Sequence, residues 1–443
     1  YNVKKRTLTE GLWAMGERIA VVDGVRSPFC RAGGVLRKVS ADDLGVHVVK
    51  ELMARTNCPI AEIDELIFGN ASQPCNAANI ARVIALKSGL PKTLSAYTVH
   101  RNCASGLESV TTAAGKIRAG EGSVYVVGGT ESMSNIPLMF NDKMTGLFVN
   151  LMKSKTIWQK LGAMSAFRPS FLSPVIAVQE GLTDPVCGLN MGMTAENLAR
   201  EFHVTREEQD QFALRSHHLS AKARDNKIFE QEIHPLPTGD KYEIVQEQDD
   251  GIRKEQTLEA LAKLKPYFDR ATGTVTVGNA CGLTDGSCAI LLTTESKAKE
   301  WGVKPLGYLR EFAYAGLEPE RMGLGPVYAA SKVLDKAKLT MQDMQLFELN
   351  EAFAAQVIAN ERAFDSDEFA KKYLNKSSKV GFLDREKLNV NGGAIALGHP
   401  VGSTGARLIV TLLKEMKRRN LGMGMASLCI GGGQGAALIL ERE

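Results

Sequence analysis

The chain lacks the marks of several function classes. Aromatic residues make up only 6 % of it, and charge is nearly balanced: 54 Lys and Arg against 50 Asp and Glu give a net charge of +4. A nucleic-acid footprint needs basic residues gathered on one face, so no nucleic-acid partner is expected. The eight cysteines, at 30, 58, 75, 103, 187, 281, 288 and 429, include no CxxC pair and no zinc-finger spacing. That removes a zinc ribbon and a thioredoxin motif. No metal is expected, and reduced thiols in a bacterial cytoplasm or an organelle matrix are. No run of eighteen apolar residues occurs and no signal-peptide core opens the chain, so neither a spanning segment nor secretion is expected.

What remains is a chain of 443 residues, 44 % hydrophobic, long enough for two or three domains with a large core. The stretch 389–435 organises it. His399 follows Gly392, Gly393 and Gly398 at the end of a short extended run, just before a segment with apolar positions at helical spacing. Cys429 closes the apolar run MGMASL and opens onto Gly431, Gly432, Gly433 and Gly435. Without side chains there, backbone N–H groups can approach a ligand and meet developing negative charge.

The ends of the chain repeat one another. DELIFGN matches MQLFELNEA, SAYTVHRNCASGLESV matches the segment carrying GHPVGSTGARLIV, and SVYVVGGTESM matches GMGMASLCIGGG. The fold class is therefore α/β, with two copies of a βαβ-rich unit that place Cys103 and His399 in equivalent positions, where open α/β sheets bind ligands. Ahead of them, 1–17 reads as a polar, basic tail. Between the copies, 143–179 carries Lys143, Lys153, Lys155, Lys160 and Arg168 without one Asp or Glu, interleaved with large apolar residues. It suits either a solvated helix pair covering the core or a basic amphipathic surface for a membrane or partner.

Cys103 sits at a helix start, where the dipole and free N–H groups lower a thiol's pKa and favour the thiolate nucleophile. The plain alternative is a small buried hydrophobe. His100 is a rival base, placed at a strand end without glycine neighbours and read as structural. His399 has its own plain alternative, a satisfied histidine in a turn.

Seven segments together resemble the thiolase family: NCASG at 102–106, GGTESMS at 128–134, NMGMTAEN at 190–197, GTVTVGNACGLTDG at 273–286, NEAFAAQ at 350–356, NVNGGAIALGHPVGSTGAR at 389–407 and CIGGGQG at 429–435. The resemblance implies a five-layered αβαβα fold: an N-terminal half at 18–133 and 283–298, an inserted loop domain at 134–282 on the substrate and CoA side, and a C-terminal half at 299–443. It implies a 3-ketoacyl-CoA thiolase working by ping-pong through an acyl-cysteine, with an acetoacetyl-CoA thiolase as alternative and a decarboxylating ketoacyl synthase further off. Cys103 would be the nucleophile, His399 its base and part of an oxyanion hole, and Cys429 the general acid/base. Asn350 would hold a water, and Gly431 would give a backbone oxyanion donor.

Met191, Phe268 and Cys281 would line the substrate pocket. Cys281 stands where a serine touching CoA is usual, and Asn190 where a histidine is common. Coenzyme A would be a cosubstrate, with no cofactor tightly bound, in a homodimer or tetramer. The chain also resembles trifunctional-complex β subunits. From this, 143–179 would meet a hydratase/dehydrogenase subunit or a membrane.

Overall fold

The computed structural model describes residues 17–239 and 243–443, so all of the expected tail except Glu17 lies outside it. Ten strands join in one sheet: β1 (Ile19–Arg26), β2 (Cys30–Arg31), β3 (Glu65–Gly69), β4 (Ser95–Val99), β5 (Val124–Glu131), β6 (Thr284–Thr294), β7 (Gly307–Gly316), β8 (Leu346–Leu349), β9 (Met423–Ile430) and β10 (Gln434–Glu441). Their order is β8-β9-β10-β7-β1-β6-β5-β3-β4, with β2 paired to β6. The main helices are α1 (Ala41–Thr56), α2 (Ile80–Lys87), α3 (Ser105–Ala119), α4 (Asp142–Lys153), α5 (Ile157–Met164), α6 (Met191–Glu201), α7 (Arg206–Asp225), α8 (Gly325–Ala337), α9 (Ala354–Phe364) and α10 (Thr404–Arg419).

The repeat read from the sequence reappears in the hydrogen bonding. In the first half β3 runs parallel to β5, β5 antiparallel to β6, and β6 antiparallel to β1. In the second, β8 runs parallel to β9, β9 antiparallel to β10, and β10 antiparallel to β7. The halves meet edge to edge where Ile19–Val21 pair with Gly307–Leu309.

Side chains alternate across these strands, as a strand's period of two requires. Ile67, Val127, Ile290, Leu428 and Leu438 point into a central core with α3 and α10, which pack on each other. Leu66, Phe68, Val126 and Leu291 point the other way, toward α1 and α2. Met425, Cys429 and Ile439 point toward a third core containing residues of α6, α7, α8 and α9. Helices, sheet, helices, sheet, helices is the layering the resemblance implied. Both faces of each half-sheet are covered, so the strands read as near-continuous apolar runs.

The basic insertion departs from its plainer reading. α4 and α5 pack together, but only Met144 and Leu147 of α4 are buried and no residue of α5 is. Met152, Ile157, Trp158 and Leu161 are 85, 63, 79 and 55 % exposed. The pair leaves its apolar face open and covers little of the core.

Candidate active site

Cys103 lies two residues ahead of α3, in a turn whose Asn102 adopts the left-handed region (φ 44), a conformation asparagine tolerates. The Ser105 hydroxyl closes the turn, donating to the Asn102 carbonyl and accepting from the Arg101 N–H. Asn102 Nδ2 donates to the Gly431 carbonyl at 2.8 Å, and Arg101 reaches Gln434 Oε1 at 3.1 Å. The Cys103 turn is thereby clamped to the glycine turn after Cys429. That turn joins β9 to β10 and needs a left-handed residue at Gly433 (φ +75), where a Cβ would fall 2.2 Å from the Leu317 carbonyl oxygen.

The segment between Asn279 and Thr284 connects the remaining parts. Cys281 N–H donates to the Ala352 carbonyl at 3.0 Å and Ala354 N–H to that of Asn279 at 2.9 Å, while His399 N–H reaches the Gly282 carbonyl at 3.3 Å and Thr284 Oγ1 at 3.2 Å. Asn350, one residue past β8, donates its N–H to the Ser427 carbonyl at 3.0 Å, which sets it beside the end of β9. Met191 Sδ sits 3.3 Å from where a Cβ on Gly431 would be. Phe268 packs edge-on against Phe353, ring centroids 5.9 Å apart. Residues far apart in the chain thus converge. Asn190 is spent on structure, its side chain capping α6 through the Met193 N–H at 2.9 Å.

The extended run expected before His399 is instead a one-turn helix, Ala394–Leu397. Glu351, fully buried, holds it: the carboxylate accepts from the Ile395 N–H, the Ser216 hydroxyl and Asn389 Nδ2. Gly398 (φ +95) then turns the chain, and a Cβ there would meet Thr284 Oγ1 at 2.2 Å. On the far side Glu131 accepts four N–H bonds, from Asn70 Nδ2 and from the backbones of Ala71, Ser72 and Gly402. It ties the loop after β3 to the turn that follows His399. Burial pushes the Glu131 carboxyl up to about 7, against the pull of those N–H groups. Cys103 and His399 both precede the paired central helices, but at unequal distances, so the equivalence read from the sequence is one of region, not register.

The titration states follow from enclosure. His399 is 6 % exposed, and burial, then the Arg407 cation, pushes its pKa down to about 3. The imidazole is neutral. Its Nδ1 lies 2.6 Å from Thr404 Oγ1, whose single proton goes to the Pro400 carbonyl at 3.0 Å. The hydroxyl therefore accepts from Nδ1–H, and Nε2 carries the bare lone pair, buried with no partner among the described residues. Both side-chain polar atoms of Asn350 are likewise buried and unpaired. Buried polar atoms cost free energy when unsatisfied, so each of these would gain from a ligand or water.

The thiols correct one expectation. Cys103 keeps some surface open to the site, yet burial raises its pKa, opposed by the N–H groups of Gly431 and of Cys103 itself. Enclosure outweighs the helix start. Burial likewise raises Cys429 well above its ordinary value, with Cys103 and Cys281 adding to it, and pushes Cys281 up to about 12, with Cys103 adding again. The three sulfurs feel one another. Among the described residues, no group of three or more His, Cys, Asp or Glu is arranged to hold a metal ion.

Sequence reasoning passed over Thr404, Glu131, Arg407 and Glu348. Thr404 and Arg407 were visible in GSTGAR and Glu131 in GGTES; Glu131, Arg407 and Glu348 act through partners distant in sequence, whereas Thr404 bonds His399 only five residues before it.

Comparison with known proteins agrees with this architecture. The family model "Thiolase, N-terminal domain" matches residues 19–296, and "Thiolase, C-terminal domain" matches 303–442. A 3-ketoacyl-CoA thiolase of Pseudoalteromonas translucida is 42 % identical over 429 residues, 96 % of this chain and 97 % of its own. One of Serratia proteamaculans is 43 % identical over 430 residues, 97 % of this chain and 98 % of its own. The structure of Bacillus anthracis acetyl-CoA acetyltransferase is similar at TM-score 0.84 and 39 % identity, covering 96 % of this chain and 99 % of that one. Human mitochondrial 3-ketoacyl-CoA thiolase is similar at TM-score 0.84 and 35 % identity, with the same coverage. Both family halves are matched in order, over the two copies of the unit that the sheet displays, and the chain belongs to the thiolase family.

Proposed function

We propose that this chain is a 3-ketoacyl-CoA thiolase, cleaving 3-ketoacyl-CoA with coenzyme A through an acyl-Cys103 intermediate. One observation carries the reading: the unprotonated, unpartnered Nε2 of His399 and the unpaired amide of Asn350 are held beside a segment whose Cys281 sulfur feels the Cys103 sulfur. His399 takes the Cys103 proton as the sulfur attacks the 3-keto carbon, so the thiolate exists only when it is needed. The C2–C3 bond breaks and an acetyl-CoA enolate leaves, to be protonated by Cys429. Coenzyme A, deprotonated by Cys429, then attacks the acyl-enzyme and frees the shortened acyl-CoA.

Each step develops an oxyanion. The N–H groups of Cys103 and Gly431, aimed at the resting sulfur, would serve the tetrahedral oxygen. His399, with a water on Asn350, would serve the thioester oxygen. Each such donor contributes roughly 3–4 kcal/mol. Met191, Phe268 and Cys281 would line the acyl and pantetheine path, and the inserted loop domain would bound it on the CoA side. A decarboxylating synthase would need a second histidine or an asparagine where Cys429 stands.

The test is thiolysis of short, medium and long 3-ketoacyl-CoA, with mass spectrometry of the quenched enzyme. An acyl adduct on Cys103 is expected. Turnover limited to the four-carbon substrate would instead make it an acetoacetyl-CoA thiolase, and unchanged turnover in Cys103→Ala would remove the assignment.

We further infer that the face formed by α4 and α5 rests on an anionic lipid surface. Its exposed apolar side chains lie among five cations with no acidic residue in 143–179. Co-sedimentation with anionic vesicles should be lost on Lys155→Glu plus Lys160→Glu. Vesicle binding unaffected by that change, or capture of a hydratase/dehydrogenase subunit through this face instead, would overturn it. A homodimer or tetramer in the bacterial cytoplasm completes the reading: β4 ends the sheet, leaving an edge that a second copy can cover, and the first curated relatives are bacterial.

A further inference from the structure

Glu348 and Arg407 form an ion pair inside the molecule that the chemistry above does not use. Arg407 Nη1 donates to Glu348 Oε2 at 2.8 Å, with the residues 0 and 2 % exposed. Arg407 Nε and Nη2 have no partner among the described residues. Buried pairs seldom add net stability over an apolar pair of similar volume, and two unsatisfied guanidinium nitrogens make this one costlier still. Its placement calls for another reason.

That reason lies in what each partner's element presents. On α10, Arg407 follows Thr404 by three residues, so the two share a helix face, and Thr404 is the residue that holds His399 Nδ1. On β8, Glu348 precedes Asn350 by two residues, so the two point to the same side of the chain as it leaves the strand. α10 packs directly on β8. The ion pair therefore spans the gap between the helix face that orients His399 and the strand side that presents Asn350.

Building on the function proposed above, we propose that Arg407 and Glu348 are positioning residues: the pair fixes His399 relative to Asn350 so that both meet one thioester oxygen. Two facts support it. Arg407 is the charge that, after burial, disfavours protonation of His399. The other carboxylates facing the pair are already engaged: Glu232 by Arg26 and Thr411, and Glu351 by Ser216 and Asn389.

The experiment compares wild type, Glu348→Gln, and the double variant Arg407→Met with Glu348→Met. The first keeps an acceptor for the guanidinium, and the second replaces the pair by apolar side chains of similar volume. Thermal unfolding, kcat, KM and the pH profile of thiolysis are measured on each. The double variant should keep its melting temperature and KM, while kcat falls at least about tenfold, the size expected when reacting groups are slightly misplaced.

The acid limb of kcat/KM, which reports loss of the neutral imidazole, should move to higher pH in the double variant, where the cation is gone. It should stay in place in Glu348→Gln, because burial pushes the Glu348 carboxyl up to about 8 and it carries no charge at that limb. A packing role would leave the limb of the double variant in place as well. Wild-type kcat and limb in a folded double variant would overturn the proposal, as would failure of both variants to fold, since the pair would then be structural. A wild type without thiolysis would remove the functional reading itself, which is a different result.

Discussion

Replacing Thr404 by valine tests the reading of His399 directly. Valine keeps the shape of the side chain and removes the hydroxyl that accepts from Nδ1–H at 2.6 Å. The Thr404 side chain is fully buried and valine fills its place, so no water takes over as acceptor. Holding the proton on Nδ1 then leaves a buried donor unsatisfied, at about 1–3 kcal/mol. The imidazole escapes that cost by moving its proton to Nε2, where it can no longer act as base toward Cys103. The competent tautomer is then populated less, and kcat/KM should fall by roughly 5- to 150-fold, at about 1.4 kcal/mol per factor of ten. Thr404→Ser restores the hydroxyl and should recover most of the loss. The assay is thiolysis of a 3-ketoacyl-CoA, with thermal unfolding to show that the fold persists. A folded Thr404→Val enzyme with wild-type kcat/KM would refute the tautomer assignment.

Other consequences follow from the same geometry. Because burial raises the Cys103 thiol, alkylation of this residue by iodoacetamide should accelerate with pH well into the alkaline range, whereas a plateau reached near neutrality would restore the thiolate expected from the helix start. Glu131, pushed up to about 7 from 4.5, binds its proton more tightly folded than unfolded. Its contribution to stability is complete below about 4.5 and is lost as pH rises to about 7, on the order of 3 kcal/mol. Melting temperature against pH should show that fall in wild type and lack it in Glu131→Gln; parallel curves would contradict it. Gly433→Ala must place a Cβ 2.2 Å from the Leu317 carbonyl oxygen at φ +75. It should lose more than about 1 kcal/mol of stability and much of its kcat through the displaced Gly431 turn, and a neutral effect on both would show that the turn can rearrange.

Much of the architecture was legible because strand and helix patterns persist through the repeat. The apolar runs around Val126 and Leu428 and the helical spacing after Cys103 and His399 are local properties, and they fixed element types and the duplication. The short helix before His399 was not legible. It is held by Glu351 from the end of β8, a contact across 44 residues that no local window contains. The thiol pKa failed for a similar reason: a helix start is visible in sequence, whereas the enclosure of Cys103 depends on packing from distant segments. The exposed apolar face of α4 and α5 was half legible. Its composition is in the sequence, but only the fold shows that no core lies beneath α5.

The two copies also use the same positions differently, and this is what turns a duplicated scaffold into one site. Gly69 pairs with Gly129 as Leu349 pairs with Ser427, and Gly286 lies opposite Glu131 as Gly435 lies opposite Cys429. By both registers, Glu131 is the counterpart of Cys429, and Asn70 that of Asn350. In the first copy Glu131 is filled by four N–H groups, and Asn70 Nδ2 donates to it and to the Thr130 carbonyl at 2.8 Å. In the second, neither polar atom of the Asn350 side chain has a partner among the described residues, where Asn70 lacks one only at Oδ1, and Cys429 remains a free thiol. A polar atom already satisfied by the protein has little to gain from a substrate, and one left bare in a closed pocket gains the whole bond. The first copy therefore spends Glu131 and Asn70 Nδ2 on holding the turn that follows His399, whereas the second leaves the whole Asn350 amide unspent among the described residues.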